Sequence, residues 1–269
     1  MAVLLVLSCA ASATAKPTYA QTVETHAKVS LIAPKAFPPR SQPMWVGLLF
    51  QLDPGWHIYW QNAGDSGEPP KVQWQLPEGF RAGPIRWPTP IRLGSGTVVD
   101  YGYQGQVLLM APIERLPVAK PDSVSAIAAD VKYIVCREIC IPGKAHLTVS
   151  LPAGDDALSQ AAQWQKLFQG TQMTLPKPTP VEWKVSAQSD KDRFVLAVEG
   201  TLPPREAFFF PLDPGIIENS APQTLEPSEN GFRLTLHKSD SLINPVTALR
   251  GLLVLPNHRG FEITAPVGK

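Results

Sequence analysis

Apolar residues in this chain come in short runs cut by proline, glycine and asparagine, and the runs have the length of strands. The earliest are 29–32 and 44–52, the second an apolar stretch held between Pro43 and Pro54, as in the core strand of a sandwich. Asp53-Pro54-Gly55 reads as a turn. Trp56-His57-Ile58-Tyr59-Trp60 alternates and is aromatic, so it predicts a strand with one face buried. A polar Gly/Pro loop follows at 62–70, then short strands near 72–75, 107–113, 126–135 and 145–151. One stretch has helical character. Asp155 and Asp156 open it, Gly170 closes it, and Leu158, Ala161, Trp164 and Phe168 fall near one face. Leu175-Pro176-Lys177-Pro178-Thr179-Pro180 predicts a stiff, extended linker. Beyond it strands resume at 181–187, 194–199, 207–210, 232–237, 250–255 and 261–264, separated by turns such as Asp213-Pro214-Gly215 and Asn230-Gly231. The pattern predicts an all-β protein of two sandwiches, 21–152 and a smaller one at 181–269, joined by a helix and Pro-rich linker over 153–180.

The first twenty residues change the picture. Residues 2–15 are apolar and small, with Leu4, Leu5, Val6 and Leu7 at the centre, and both Ala13-Thr14-Ala15 and Thr18-Tyr19-Ala20 have the small-x-small form of a cleavage site. We read 1–20 as a signal peptide and the protein as exported. No later run is long or apolar enough for a membrane span. Charge is balanced, 24 basic against 23 acidic residues, which argues against nucleic acid as a partner. Of three cysteines, Cys9 falls within the leader, leaving Cys136 and Cys140 in a compartment where disulfides form.

Candidate chemistry centres on this pair, in Tyr133-Ile134-Val135-Cys136-Arg137-Glu138-Ile139-Cys140-Ile141-Pro142-Gly143-Lys144. Fully extended, four residue steps span about 13 Å. A disulfide needs Cα atoms roughly 4.4–6.8 Å apart, so the chain must turn if the two pair. Pro142-Gly143 is expected to break the chain after Cys140. A bridge around so small a loop adds only about 2 kcal/mol in the chain-entropy model, which favours redox chemistry over a staple. Two alternatives stand beside it. One is a soft-metal chaperone that binds Cu(I) through Cys136, Cys140 and His146. The other is a non-catalytic binding module with a structural disulfide. Trp56, Trp60, Trp74 and Trp87 are read as packing residues rather than a sugar platform, and His57 and His237 as structural. Asp65 and Glu68 are read as shaping the loop beside the cysteines rather than as paired glycosidase carboxylates.

Several segments carry a family resemblance: Gly55-Trp56-His57-Ile58-Tyr59-Trp60, Gly64-Asp65-Ser66-Gly67-Glu68-Pro69-Pro70, Trp87-Pro88-Thr89-Pro90, Tyr101-Gly102-Tyr103-Gln104-Gly105, the cysteine segment, and Phe208-Phe209-Phe210-Pro211-Leu212-Asp213. Together they resemble the periplasmic N-terminal region of the DsbD-type thiol:disulfide interchange proteins, in the copper-tolerance-linked variant with two β domains. The best-known members space their cysteines more widely. The resemblance implies immunoglobulin-like sandwiches, a redox-active Cys136–Cys140 disulfide, and no organic cofactor. It implies a membrane-embedded electron donor, in cis or in trans, and thioredoxin-fold periplasmic partners. It also implies a cap loop at 100–105 whose Tyr101 or Tyr103 shields the cysteines, flexing at Gly102 and Gly105. The second domain is left with a supporting role such as partner docking.

Overall fold

A computed structural model describes residues 21–24, 26–34, 42–94, 96–117, 126–150 and 157–268. The expected leader with Cys9, Asp155, Asp156 and the side chains of Leu158 and Ala161 lie outside the described residues.

The first unit holds β1 (Gln21–Glu24), β2 (Ala27–Ile32), β3 (Met44–Leu52), β4 (His57–Gly64), β5 (Lys71–Gln75), β6 (Phe80–Ala82), β7 (Ile91–Leu93), β8 (Asp100–Gln104), β9 (Gln106–Arg115), β10 (Ala126–Cys136) and β11 (Cys140–Ser150). Five strands form one sheet in the order β1-β2-β3-β9-β6. Six form the other, β11-β10-β4-β8-β7, with β5 also on β10. One hydrophobic core draws on both sheets. Along β10 the odd residues Ile127, Ala129, Val131, Tyr133 and Val135 enter it, as a period of two requires. The apolar run of β3 is unbroken because both of its faces are covered. Val46, Leu48 and Phe50 face the core, while Leu49, with Ile32, Leu108 and Met110, packs under Trp164, Leu167 and Phe168 of α1 (Ala157–Thr174).

The helix runs through Gly170, where it was expected to stop, to Thr174. Pro176 supplies the stop, since proline has no amide to donate and disfavours a helical residue before it. The carbonyl of Thr174, orphaned by that ending, accepts bonds from the amide and hydroxyl of Thr89, at 3.0 and 3.1 Å.

The linker is extended as expected, but not free. Its β12 (Lys177–Pro178) joins the second unit, which comprises β13 (Lys184–Ser189), β14 (Arg193–Glu199), β15 (Phe208–Pro211), β16 (Thr224–Ser228), β17 (Gly231–His237), β18 (Ala248–Leu255) and β19 (Arg259–Gly268). β12 pairs in parallel with β19. With β12 as the eighth strand, the sheet has the order β15-β18-β19-β13-β14-β17-β16. Its two halves join only where Ala187 and Gln188 of β13 meet Val267 and Gly268 of β19. Both halves contribute to one core, including Phe194, Leu196, Phe232 and Leu234 from one and Phe209, Leu253 and Ile263 from the other.

The units share an interface with an apolar centre. Phe210 and Leu252, on strands of the second unit, belong to the core of the first. The Phe210 ring meets Tyr101 edge-on at 4.9 Å and Trp60 at 6.3 Å. Phe210→Ala is therefore expected to destabilise the whole chain by about 3–5 kcal/mol. Urea unfolding followed by tryptophan fluorescence measures this; a loss below about 1 kcal/mol would mean that the two cores are energetically separate.

Candidate functional site

β10 and β11 form a hairpin whose last residue pair is Cys136 opposite Cys140, closed by Arg137, Glu138 and Ile139. The register settles how a Cys-x-x-x-Cys spacing can pair. Directly opposed antiparallel residues alternate between hydrogen-bonded pairs and closer, non-hydrogen-bonded ones about 4.5 Å apart. Arg137 donates its amide to the carbonyl of Ile139 at 3.1 Å, so Cys136 and Cys140, one step back, form a close pair. Their Cα atoms are 4.2 Å apart and their sulfurs are bonded. Pro142, opposite Ile134 two steps on, is again at a position whose nitrogen faces away from β10. This explains why Pro142-Gly143 lies inside β11 instead of breaking it, since β11 ends its sheet and an edge strand tolerates proline. Gly143 lies flat on its cross-strand partner Tyr133, where a Cβ would stand 2.4 Å from the ring.

The two sulfurs live in different surroundings. Cys136 is 2% exposed, whereas Cys140 is open to solvent beside Ile139, a large apolar residue 65% exposed. The hairpin tip is braced from one side. The Arg137 guanidinium lies 5.5 Å from the Trp56 ring, Trp56 stacks on His26 at 3.9 Å, and His26 Nδ1 is 3.1 Å from a carboxylate oxygen of Asp53.

Cys136 points to the outer face of its sheet, the face opposite the core. There it is in register with His57, and period two places Tyr59 on the same face while Ile58 and Trp60 enter the core. Tyr59 is fully buried, and its hydroxyl lies 3.6 Å from Cys140 Sγ and 3.4 Å from the hydroxyl of Ser66. Ser66 donates its hydroxyl to Asp100 Oδ2 and its amide to Asp100 Oδ1, each at 2.9 Å. The serine proton is thus committed to Asp100, and the phenol proton has two acceptors, the Ser66 oxygen and the Cys140 sulfur. His57 Nε2 stands 3.7 Å from Asp100 Oδ2.

Burial, opposed by the Ser66 bond and reinforced by the Asp100 charge, raises the pKa of Tyr59, so it is a proton donor at neutral pH. Burial also pushes the Asp100 carboxyl up, but His57 and the two bonds from Ser66 together outweigh it, and its pKa is lowered. The arrangement therefore sets a neutral hydrogen-bond donor against one sulfur, backed by a serine and a carboxylate that stays ionised.

The structure does not bring Tyr101 and Tyr103 to the cysteines. Residues 100–104, expected as a cap loop, are strand β8 inside the sheet, and Tyr103 is paired with Ile58 on the core face. Both rings are buried there. Tyr101 donates to Asn219 Oδ1 at 2.8 Å, and Tyr103 to the carbonyl of Pro88 at 2.7 Å. Gly102 is no hinge, since a Cβ on it would lie 2.0 Å from the carbonyl oxygen of Ile58. Tyr59 occupies the place expected of them.

His146 is also separate from the pair. It lies six positions along β11 from Cys140, about 20 Å at strand spacing, and is bonded to Asp130 at 2.7 Å. The proposed Cys136, Cys140 and His146 ligand set is therefore not assembled, and no cluster of three metal-ligating side chains occurs among the described residues. Trp56 and Trp60 are buried and Trp74 and Trp87 pack against the core, so they form no platform. Asp65 does shape the loop beside the cysteines, accepting the amide of Val99 at 2.7 Å, and Glu68 pairs with Lys71.

The residues that sequence reasoning missed are Tyr59, Ser66, Asp100 and the place of His57 beside Asp100. A signal existed for two of them. In His57-Ile58-Tyr59-Trp60 the polar-edged residues alternate with the core residues, so they share the opposite face. Nothing local marks Ser66 or Asp100, which arrive from a loop and from the next strand.

These features define a β-rich module that carries a disulfide at a hairpin end, one of its cysteines exposed and the other buried. Residues 28–152 match the family model of the thiol:disulfide interchange protein DsbD, N-terminal, so this part of the chain is similar to a component of thiol–disulfide interchange. The fold is also similar to the crystal structure of the N-terminal periplasmic domain of ScsB from Proteus mirabilis. That match covers 94% of this chain and 100% of the other, with a TM-score of 0.69 and 18% sequence identity. The comparison with curated proteins finds no match. Among the described residues, no helix is long and apolar enough to cross a membrane.

The ionised Asp100 predicts acid sensitivity. Its folded pKa lies below the unfolded value, so its stabilising contribution is complete above the ordinary aspartate pKa of about 3.9 and fades as pH falls through the folded value. Thermal unfolding of wild type against Asp100→Asn should show a gap at pH 6 that closes toward pH 3. A gap constant over that range would mean that the carboxylate charge contributes nothing.

Proposed function

We propose that the chain is a periplasmic thiol:disulfide oxidoreductase module that relays electrons from a membrane-embedded donor, in cis or in trans, to disulfides of thioredoxin-fold partners. Cys136 and Cys140 are its catalytic residues, and the cycle uses no organic cofactor. The observation that carries this reading is the asymmetry of the pair: an exposed Cys140, its sulfur beside a hydrogen-bond donor, joined to a buried Cys136. The family match over residues 28–152 and the likeness in fold to a periplasmic domain support it. The same reading takes 21–152 and 181–269 as immunoglobulin-like domains, 153–180 as their connection and 1–20 as a leader.

In the reduced module, the Cys140 thiolate attacks one sulfur of a partner disulfide. A mixed disulfide forms and the partner's other sulfur leaves as a thiolate. The Cys136 thiolate then attacks Cys140 Sγ, closing the Cys136–Cys140 bond and releasing the second partner thiolate. Two electrons pass to the partner, and the donor restores them by the reverse sequence. Tyr59 stabilises Cys140 whenever it carries negative charge, because its hydroxyl can turn from Ser66 to the sulfur. Exposed Ile139 gives the partner an apolar contact next to the reacting atom.

Two measurements test this. The reduction potential of the pair, by glutathione equilibration with mass-spectrometric readout, should fall between about −180 and −270 mV; a value below about −300 mV would indicate a structural bridge. With single-cysteine variants, Cys136→Ser should trap a thioredoxin-fold partner as a stable mixed disulfide through Cys140, and Cys140→Ser should trap none. Equal trapping by both would remove the assignment of Cys140 as the attacking sulfur.

A further inference from the structure

Tyr59 and Asp100 are fixed by the strands that carry them, but Ser66, which links them, sits on a loop. That loop is tied to the second unit at two points. Just before it, Asn62 is buried, donates its side-chain amide to the carbonyl of Pro211 at 2.8 Å, and accepts the amide of Gly64 at 3.1 Å. Asp65, immediately before Ser66, has both carboxylate oxygens committed: one accepts the amide of Val99 at 2.7 Å, the other the side-chain amide of Asn219 at 2.7 Å.

Asn219 is itself buried, and its carbonyl oxygen accepts the Tyr101 hydroxyl at 2.8 Å. Its backbone carbonyl receives Arg92 at 3.3 Å, so its own position is fixed from two sides. The loop that results is close-fitting. Gly67 lies on the Tyr59 ring, where a Cβ would stand 2.1 Å from it, and its φ of +67° is one that only glycine adopts freely.

We infer that Asn219 is a positioning residue of the exchange site, holding Asp65 so that Ser66 stays between Tyr59 and Asp100. This rests on the exchange function proposed above. The second unit is then part of the site and not an appendage to it. Asp65 is on the surface, and without the Asn219 donor water competes for its carboxylate. The loop is then released from one of its two ties, and Ser66 with it.

The test is the rate of disulfide exchange between the full chain and a thioredoxin-fold protein, measured from pH 4 to 9, with thermal unfolding measured alongside. Asn219→Asp sets a second carboxylate against Asp65. Exchange should slow roughly ten-fold at pH 7, in line with the cost of displacing a positioning group. The deficit should narrow below about pH 5, where two facing carboxylates share a proton. Adding Asp65→Asn to Asn219→Asp reverses donor and acceptor between the two positions. The Val99 amide and the Tyr101 hydroxyl each keep an acceptor oxygen, so all three bonds are rebuilt, and the rate should return to within about two-fold of wild type.

In a Ser66→Ala background, Asn219→Asp should slow exchange no further, which a purely structural role would not predict. Exchange by Asn219→Asp at the wild-type rate, or an undiminished effect in the Ser66→Ala background, overturns the assignment while leaving the exchange function intact. Absence of exchange in the wild-type protein overturns both.

Discussion

The register of the β10–β11 hairpin is the constraint from which the site follows. It sets Cys136 opposite Cys140 at a close, non-hydrogen-bonded position. A slip of one residue would move both sulfurs out of opposition and turn the odd residues of β10 from the core to the outside. The register is held by that core face, by Gly143 lying on Tyr133, and by Pro142 at a position that needs no amide. The same five core residues of β10 that hold the first unit together thus also fix the distance between the cysteines.

Alternation along β4 and β8 then divides chemistry from packing. On β4, Ile58 and Trp60 go inward and His57 and Tyr59 outward; on β8, Tyr101 and Tyr103 go inward and Asp100 outward. The outer face of this sheet is consequently where Cys136, His57, Tyr59 and Asp100 gather. Its burial there comes from the hairpin tip and the loop after β4 rather than from a second sheet. A shell made from loops leaves Cys140 exposed while closing over Cys136.

The second unit completes that shell. Phe210 crosses into the first core, and Asn219 and the Pro211 carbonyl reach the loop carrying Ser66. Apolar burial brings the units together, and the buried polar bonds at its margin set the loop to within a hydrogen-bond length. Loss of the apolar contact would therefore loosen both the interface and the Ser66 loop.

By itself the sequence determined much of this. Period-two alternation and turn residues gave most of the strands, the Pro-rich segment predicted an extended stretch, and the cysteine spacing pointed to thiol chemistry, because each of these depends on neighbours along the chain. The immediate environment of the sulfurs was not legible. Tyr101 and Tyr103 were expected above the cysteines, yet their strand points them into the core, and Tyr59 stands there instead. Pro142-Gly143 looked like a break, since nothing local says that β11 is an edge strand with a tyrosine ring for its glycine to lie on. Ser66 meets Asp100 across 34 positions of chain, and Asn219 meets Asp65 across 154. Only the pairing of strands and the docking of the two units, which are long-range and set by burial, decided which polar groups would share a face with the disulfide.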